Sequence, residues 1–152
     1  MTVRRLGAGD EALAEAAVAL LLAEENDGFP IDVAPFLASP SAVAYVAVAE
    51  DGAPVGWVHG HELVHPDGER TMLLYALDVD EGHRRQGHGR ALVEAFVAEA
   101  RERGCTEVWV LTDDANAAAL ATYARAGGRR EADPSVMFVW PLAPGREAGD
   151  GP

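Results

Sequence analysis

Residues 82–90, GHRRQGHGR, place three glycines and three arginines side by side in a chain whose formal charge is -13. Glycines at 82, 87 and 89 let successive backbone N–H groups converge on one point. A helical run follows from about His88. Its first N–H groups and the positive end of its dipole would face the same point. Arg84, Arg85 and Arg90 add full charges, with Gln86 and His88 between them. This chemistry suits an anion, most naturally a pyrophosphate; the alternative is a Gly-rich connection carrying solvated arginines. A P-loop would end in Gly-Lys-Ser/Thr, and all twelve basic residues here are arginine. A dinucleotide fingerprint would need an early strand–loop–helix start, whereas this loop lies mid-chain. Just before it, Asp78 sits on an otherwise apolar strand. Because unpaired burial of a carboxylate is costly, Asp78 must face a cavity, a partner or water.

The elements that hold these residues can be read from periodicity. Residues 10–26 carry apolar residues at helical spacing, NDGFP breaks the run, and IDVAPFLASP reads as a short helical turn. Two β-rich runs flank Asp51-Gly52, a hairpin signal. TMLLYALDV reads as a buried strand. Residues 88–103 form a helix with the stripe Leu92, Val93, Phe96, Val97 and Ala100, ended by Gly104 at C′. TEVWVLT reads as a strand, NAAALATYARAG as a helix ended by Gly127, and PSVMFVW as a last strand. A meander followed by βαβ connections predicts an α/β architecture of the mixed α+β kind, a central sheet covered by helices. One domain over residues 1–142 is expected, with a flexible Pro/Gly-rich tail over 143–152.

Arg84-Arg85-Gln86-Gly87-His88-Gly89 resembles the R/Q-x-x-G-x-G/A pattern of the GNAT superfamily of N-acetyltransferases. NAAALATY resembles that family's N-x-x-A-x-x-x-Y block at Asn116, Ala119 and Tyr123, with Gly127 following, and the element order is also that fold's. The resemblance spans residues 3–140 and implies a mixed sheet with two splayed strands. It implies acetyl-coenzyme A as the donor, its pyrophosphate on the N–H groups of residues 84–90. Its pantetheine arm would lie beside the strand near Leu77 and Val79, and Asn116 would contact that arm or help place its helix. The family's acceptor is a primary amine. Tyr123 matches the position of the acid that protonates the leaving sulfur; a core tyrosine is the alternative. Asp78 then becomes the candidate base or amine anchor, with His61 and Glu62 as second choices. The Val79 region could supply an N–H to the carbonyl oxygen.

Within that superfamily the chain is similar to aminoglycoside 3-N-acetyltransferases of the gentamicin/fortimicin type, through LLY followed by Leu77, HRRQG, LATY and VMF. It departs from them at Ala76, where they carry aspartate, so either Asp78 replaces that acid two residues on or the substrate differs. Another small amine, a peptide N-terminus, or a binding module without turnover remain open. Glu25, Asp27, Asp113 and Asp114 are candidate contacts for a cationic acceptor. The net charge disfavours nucleic acid and anionic membranes. His59 and His61 share a strand face without an evident third ligand, so no metal is expected. One cysteine, no apolar run behind the N-terminal basic pair and no spanning segment point to a reducing cytoplasm. The apolar last strand and Trp140 could pair across a homodimer or occupy an internal sheet position.

Overall fold

The computed structural model describes residues 1–22, 29–132 and 135–142. Its elements are β1 (Thr2–Arg5), α1 (Glu11–Leu21), α2 (Ala34–Ala38), β2 (Ala42–Val48), β3 (Pro54–Val64), β4 (Arg70–Val79), α3 (His88–Glu102), β5 (Glu107–Trp109) and α4 (Ala117–Arg125). The strands form one sheet in the order β1-β2-β3-β4-β5. The first four run antiparallel to their neighbours, and β5 runs parallel to β4. This is the mixed, helix-flanked sheet the sequence predicts. Among the described residues no helix is long and apolar enough to cross a membrane.

Helices cover both faces, which explains why β2 reads AVAYVAV rather than alternating with polar residues. Val43 and Ala47 pack with Val58, Met72 and Leu74 under Leu92, Val93, Phe96 and Ala100 of α3. Ala44, Val46 and Val48 pack with Trp57 and Leu6 under Ala14 and Ala17 of α1. The helix ends follow their glycines. Gly104 and Gly127 adopt φ of 78° and 91°. Beyond them Cys105 N–H bonds Ala100 C=O and Gly128 N–H bonds Tyr123 C=O, both at 2.9 Å, the closing bond of a Schellman turn.

Two strand expectations need correction. β1 was not foreseen, because TVRR offers a single apolar residue; it forms by pairing along β2, Thr2 opposite Val48. Residues 135–140, expected as a last strand, are not in the sheet, and their apolar side chains are exposed. Strand propensity expresses fit to a pleated surface beside a neighbour, and among the described residues no strand pairs with this segment. β5 is also shorter than TEVWVLT suggested. The far end of the helix expected over 10–26 lies outside the described residues beyond Leu22.

The feature that shapes the functional end is a bulge in β4. His59 pairs with Ala76, but the next residue, Gly60, pairs with Leu74, so Tyr75 is the extra residue. A bulge reverses which face later side chains take. Before it, Met72 and Leu74 point into the α3 core; after it, Leu77 packs there instead. Ala76 and Asp78 thereby turn to the face covered by α1 and α2. Without the extra residue, Asp78 would point into the apolar layer under α3. Gly60 makes the bulge possible: a Cβ there would lie 1.8 Å from the Leu73 carbonyl oxygen and 2.8 Å from Phe96 Cζ. Gly60→Ala is expected to cost about 1–3 kcal/mol in urea denaturation. A midpoint equal to the parent's would show that the backbone does not need this close approach.

Candidate active site

The loop from Asp80 to Gly87 runs from the end of β4 into α3. A single 3-10 turn, Glu81–His83, starts it, with His83 Nδ1 and Asp80 Oδ2 at 2.7 Å. The chain then passes through Arg84 in extended conformation to Arg85 at φ 59° and Gly87 at φ 87°. Arg85 is the one non-glycine residue at positive φ among the described residues. Left-handed residues alternating with right-handed or extended ones turn successive N–H groups to one side, which makes an anion-binding concavity. Gly87 is the N-cap of α3; no side chain caps that helix and no acid lies in its first turn. The N–H groups of the first turn are therefore left to an outside acceptor.

Three arginines surround this point in different ways. Arg84 donates from Nε to the Val79 carbonyl at 3.0 Å, which ties the loop back to the strand. Arg85 carries the left-handed turn. Arg90 is paired with Glu94 at 2.7 Å on the exposed side of α3, so part of its charge is already met. Gln86 donates to the Gly82 carbonyl at 3.4 Å and shapes the loop. Gly89 lies where α3 meets its neighbours: a Cβ there would sit 3.2 Å from Thr122 Cγ2 of α4 and 3.7 Å from Val79 Cγ2. His88 is buried; its Nδ1 meets Met1 Sδ and its ring lies 6.1 Å from the His83 ring. Burial, then the charges of His83 and the N-terminus, lower its pKa, so it is a neutral packing group behind the loop.

Next to this loop the sheet opens. β5 pairs with β4 only over Thr71–Leu73, and beyond that β4 continues to Val79 paired with β3 on its other side. Asp80 donates to the Val55 carbonyl at 2.9 Å. Antiparallel alternation then gives Asp78 to β3 as well, and turns the N–H and C=O of Leu77 and Val79 to the edge that β5 has left. A linear amide-bearing chain can pair along that edge and end with its anionic part on the loop. These residues fit the pantetheine and pyrophosphate of coenzyme A.

Tyr123 lies on α4, half-buried, packed against the same core as Leu77 and Val110. Burial, and secondly the charge of Asp78, raise its pKa above the ordinary value of 10.0. The phenol thus keeps its proton at neutral pH, as a general acid must. Asp78 is half-buried and directly opposite Trp57. The charge of Asp78 on β4 is thus felt at the Tyr123 phenol on α4. Asn116 is the N-cap of α4, its Oδ1 accepting from Ala119 N–H at 3.1 Å, and so sets where Tyr123 stands.

The acidic candidates separate. Asp113 accepts from Ala115 N–H at 2.7 Å and forms the turn before α4. Asp114 is exposed and paired with Arg130 at 2.6 Å. Glu25 and Asp27 lie outside the described residues. Glu62 is bound by Arg70 at 2.6 Å and Arg103 at 2.8 Å, with Arg103 the main cause of its lowered pKa. Its carboxylate is thus held in ion pairs with residues of β4 and the end of α3.

Sequence reasoning missed an aromatic cluster on the Asp78 face. Trp57, His59 and His61 alternate along β3, and Phe36 of α2 stands edge-on to both histidine rings at 5.5 and 5.4 Å. The Tyr75 ring lies 5.4 Å from that of His59 and is 68% exposed, so the bulge residue carries the cluster out to solvent. The W-x-H-x-H alternation was the available signal.

Burial, and then the charge of His61, pull the pKa of His59 down from 6.5 to about 4. Between those values the unfolded chain takes up a proton that the folded ring refuses. Stability should therefore fall as pH drops from about 6.5 toward about 4, by on the order of 1–3 kcal/mol. Denaturation midpoints across that range should show the slope in the parent and a flatter one in His59→Phe; equal slopes would mean that the His59 ring is not held neutral.

Residues 10–128 match the Acetyltransferase (GNAT) family. The chain is a member of that family. Among curated proteins it is 32% identical over 106 residues to human N-acetyltransferase 8, covering 69% of this chain and 46% of that protein. It is 31% identical over 83 residues to streptothricin acetyltransferase of Streptomyces lavendulae, covering 55% and 42%. These matches thus span less than half the length of the curated relatives. Among solved structures, an aminoglycoside acetyltransferase from an uncultured soil metagenomic sample, in complex with trehalose, superposes with a TM-score of 0.83 at 25% identity, covering 93% of this chain and 96% of that one.

Proposed function

We propose that this GNAT protein moves the acetyl group of acetyl-coenzyme A to a primary amine of a cationic small molecule, an aminoglycoside at its 3-N position being the favoured acceptor. The observation that carries the reading is the edge of β4 at Leu77 and Val79, beyond the end of its pairing with β5, next to a helix start without a side-chain cap. The residues of the loop from 84 to 90 bind the pyrophosphate, with Arg84 and Arg85 nearest to hand. Leu77 and Val79 hold the pantetheine as an added strand, and the Val79 N–H is placed to receive charge on the carbonyl oxygen.

The donor supplies an activated thioester. The acceptor nitrogen must be neutral to attack its carbonyl carbon. Asp78 receives or anchors the ammonium, and the nitrogen loses its proton there or to water. As the carbon–sulfur bond breaks, Tyr123 donates its phenolic proton to the leaving thiolate. Asp78 stands two residues after Ala76 on the same face of β4, where it serves the acceptor amine in place of the aspartate that aminoglycoside enzymes carry at the Ala76 position.

Three further observations favour a cationic acceptor. The chain is acidic, at -13. Tyr75 offers an exposed ring on the Asp78 face, suited to an ammonium. The similarity to two soil aminoglycoside acetyltransferases, at 25% and 27% identity, extends over 93% of the chain. A peptide N-terminus is the second reading, favoured by 41% identity over 54 residues to the Escherichia coli enzyme that acetylates an alanine of ribosomal protein bS18.

Thiol release from acetyl-coenzyme A should be followed with gentamicin-type aminoglycosides, simple diamines and alanyl peptides. Release with the first and acetylation at 3-N are expected. Tight donor binding without release for any amine would reduce the protein to a binding module. In Tyr123→Phe, kcat should fall about 100-fold while donor affinity stays within about threefold; an unchanged kcat would remove Tyr123 as the acid.

A further inference from the structure

Three rings hold the His59 imidazole, yet neither of its nitrogens has a hydrogen bond among the described residues. Phe36 of α2 stands edge-on to it at 5.5 Å, Trp57 lies 5.4 Å away on β3, and Tyr75 of the bulge lies 5.4 Å away on β4. Directly across β4 it faces Ala76, a methyl group only. Nδ1 is enclosed without a partner, whereas Nε2 is not enclosed. A position used for packing alone is better served by a carbon ring, because a buried polar atom without a partner is costly.

The ring is neutral, since burial and then the charge of His61 bring its pKa down to about 4. A neutral imidazole carries one N–H and one lone pair. An enclosed N–H without a partner is rarer in proteins than an enclosed acceptor without one. The proton therefore belongs on Nε2 and the lone pair on Nδ1. The open nitrogen is then a donor, which can meet an oxygen but cannot accept from an ammonium. Asp78 is the diagonal neighbour of His59 on the same face, and such neighbours stand about 7–8 Å apart. One small molecule can reach both. Its ammonium suits the carboxylate, and an oxygen beside that nitrogen suits the imidazole N–H.

Resting on the acetyl-transfer reading above, we propose that His59 determines acceptor specificity. Its Nε2–H donates to a hydroxyl or ether oxygen on the carbon next to the one bearing the reacting nitrogen, while Asp78 holds that nitrogen. The acceptor class is thus a vicinal amino alcohol or its ether, in a saturated ring that lies along the exposed Tyr75, and not a plain di- or polyamine. An amine without that oxygen leaves the donor unpaired, which is what makes such a contact selective.

The test compares trans-2-aminocyclohexanol with trans-4-aminocyclohexanol, which differ in where the hydroxyl sits. Thiol release from acetyl-coenzyme A should give a kcat/KM about 5- to 10-fold higher for the 2-isomer. His59→Phe, which keeps a ring but no donor, should bring that ratio to within about twofold of one. A second measurement needs neither a variant nor turnover. Long-range proton–nitrogen correlation in the histidine-labelled parent should show His59 as the neutral Nε2–H tautomer, with signals that move more with the 2-isomer than with the 4-isomer. An Nδ1–H tautomer would overturn the proposal. So would equal use of the two isomers by a protein that acetylates aminoglycosides, and that result would leave the acetyl-transfer reading standing. Absence of thiol release with every amine would remove both.

Discussion

The close approach of Gly60 to the Leu73 carbonyl is the constraint on which the functional end depends. It permits one extra residue, Tyr75, in β4, and that residue reverses the facing of everything after it. Leu77 then belongs to the core under α3, Asp78 to the opposite face, and Tyr75 to solvent. The same shift decides which backbone groups of the strand end are free. Because Asp80 bonds to Val55, the groups of Leu77 and Val79 turn outward at the place where β5 has parted from β4. A single close backbone contact thus sets both the edge suited to the donor and the carboxylate suited to the acceptor.

Charge is distributed to match. The loop after β4 has arginines, a left-handed Arg85 and a helix start without a side-chain cap, and Asp80 there is turned to His83. The rest of the chain is strongly acidic. The arginines and the helix start favour an anion at the loop. Burial adds two neutral histidines, His59 among the aromatic rings and His88 behind the loop, so neither repels a cation or competes for the anion.

Much of this was legible in the sequence because it was local. The glycine-arginine loop, the Asp51-Gly52 hairpin, the α3 stripe and the Asn116 cap are all written in short windows, and each appears where its window lies. What was not legible depends on pairing between distant strands. TVRR becomes a strand only because β2 offers an edge. The bulge shows in sequence solely as a slip of phase, Met72 and Leu74 against Leu77 and Val79, and its cause lies in Gly60 of another strand. SVMFVW failed as a strand for the same reason, since a strand exists only with a neighbour. Among acids, the ion pairs of Glu62 were not legible because its partners Arg70 and Arg103 come from other elements.

The central claim is that the loop between β4 and α3 receives the pyrophosphate of acetyl-coenzyme A. The most direct measurement is calorimetric binding of acetyl-coenzyme A beside acetyl-pantetheine, which has the same reactive end and arm but no phosphate. Loss of even two charge-assisted hydrogen bonds corresponds to about 100-fold in affinity. Acetyl-coenzyme A should therefore bind at least about 100-fold more tightly, with the gap shrinking in Arg84→Ala and at high salt. Equal affinity for the two compounds would contradict the account.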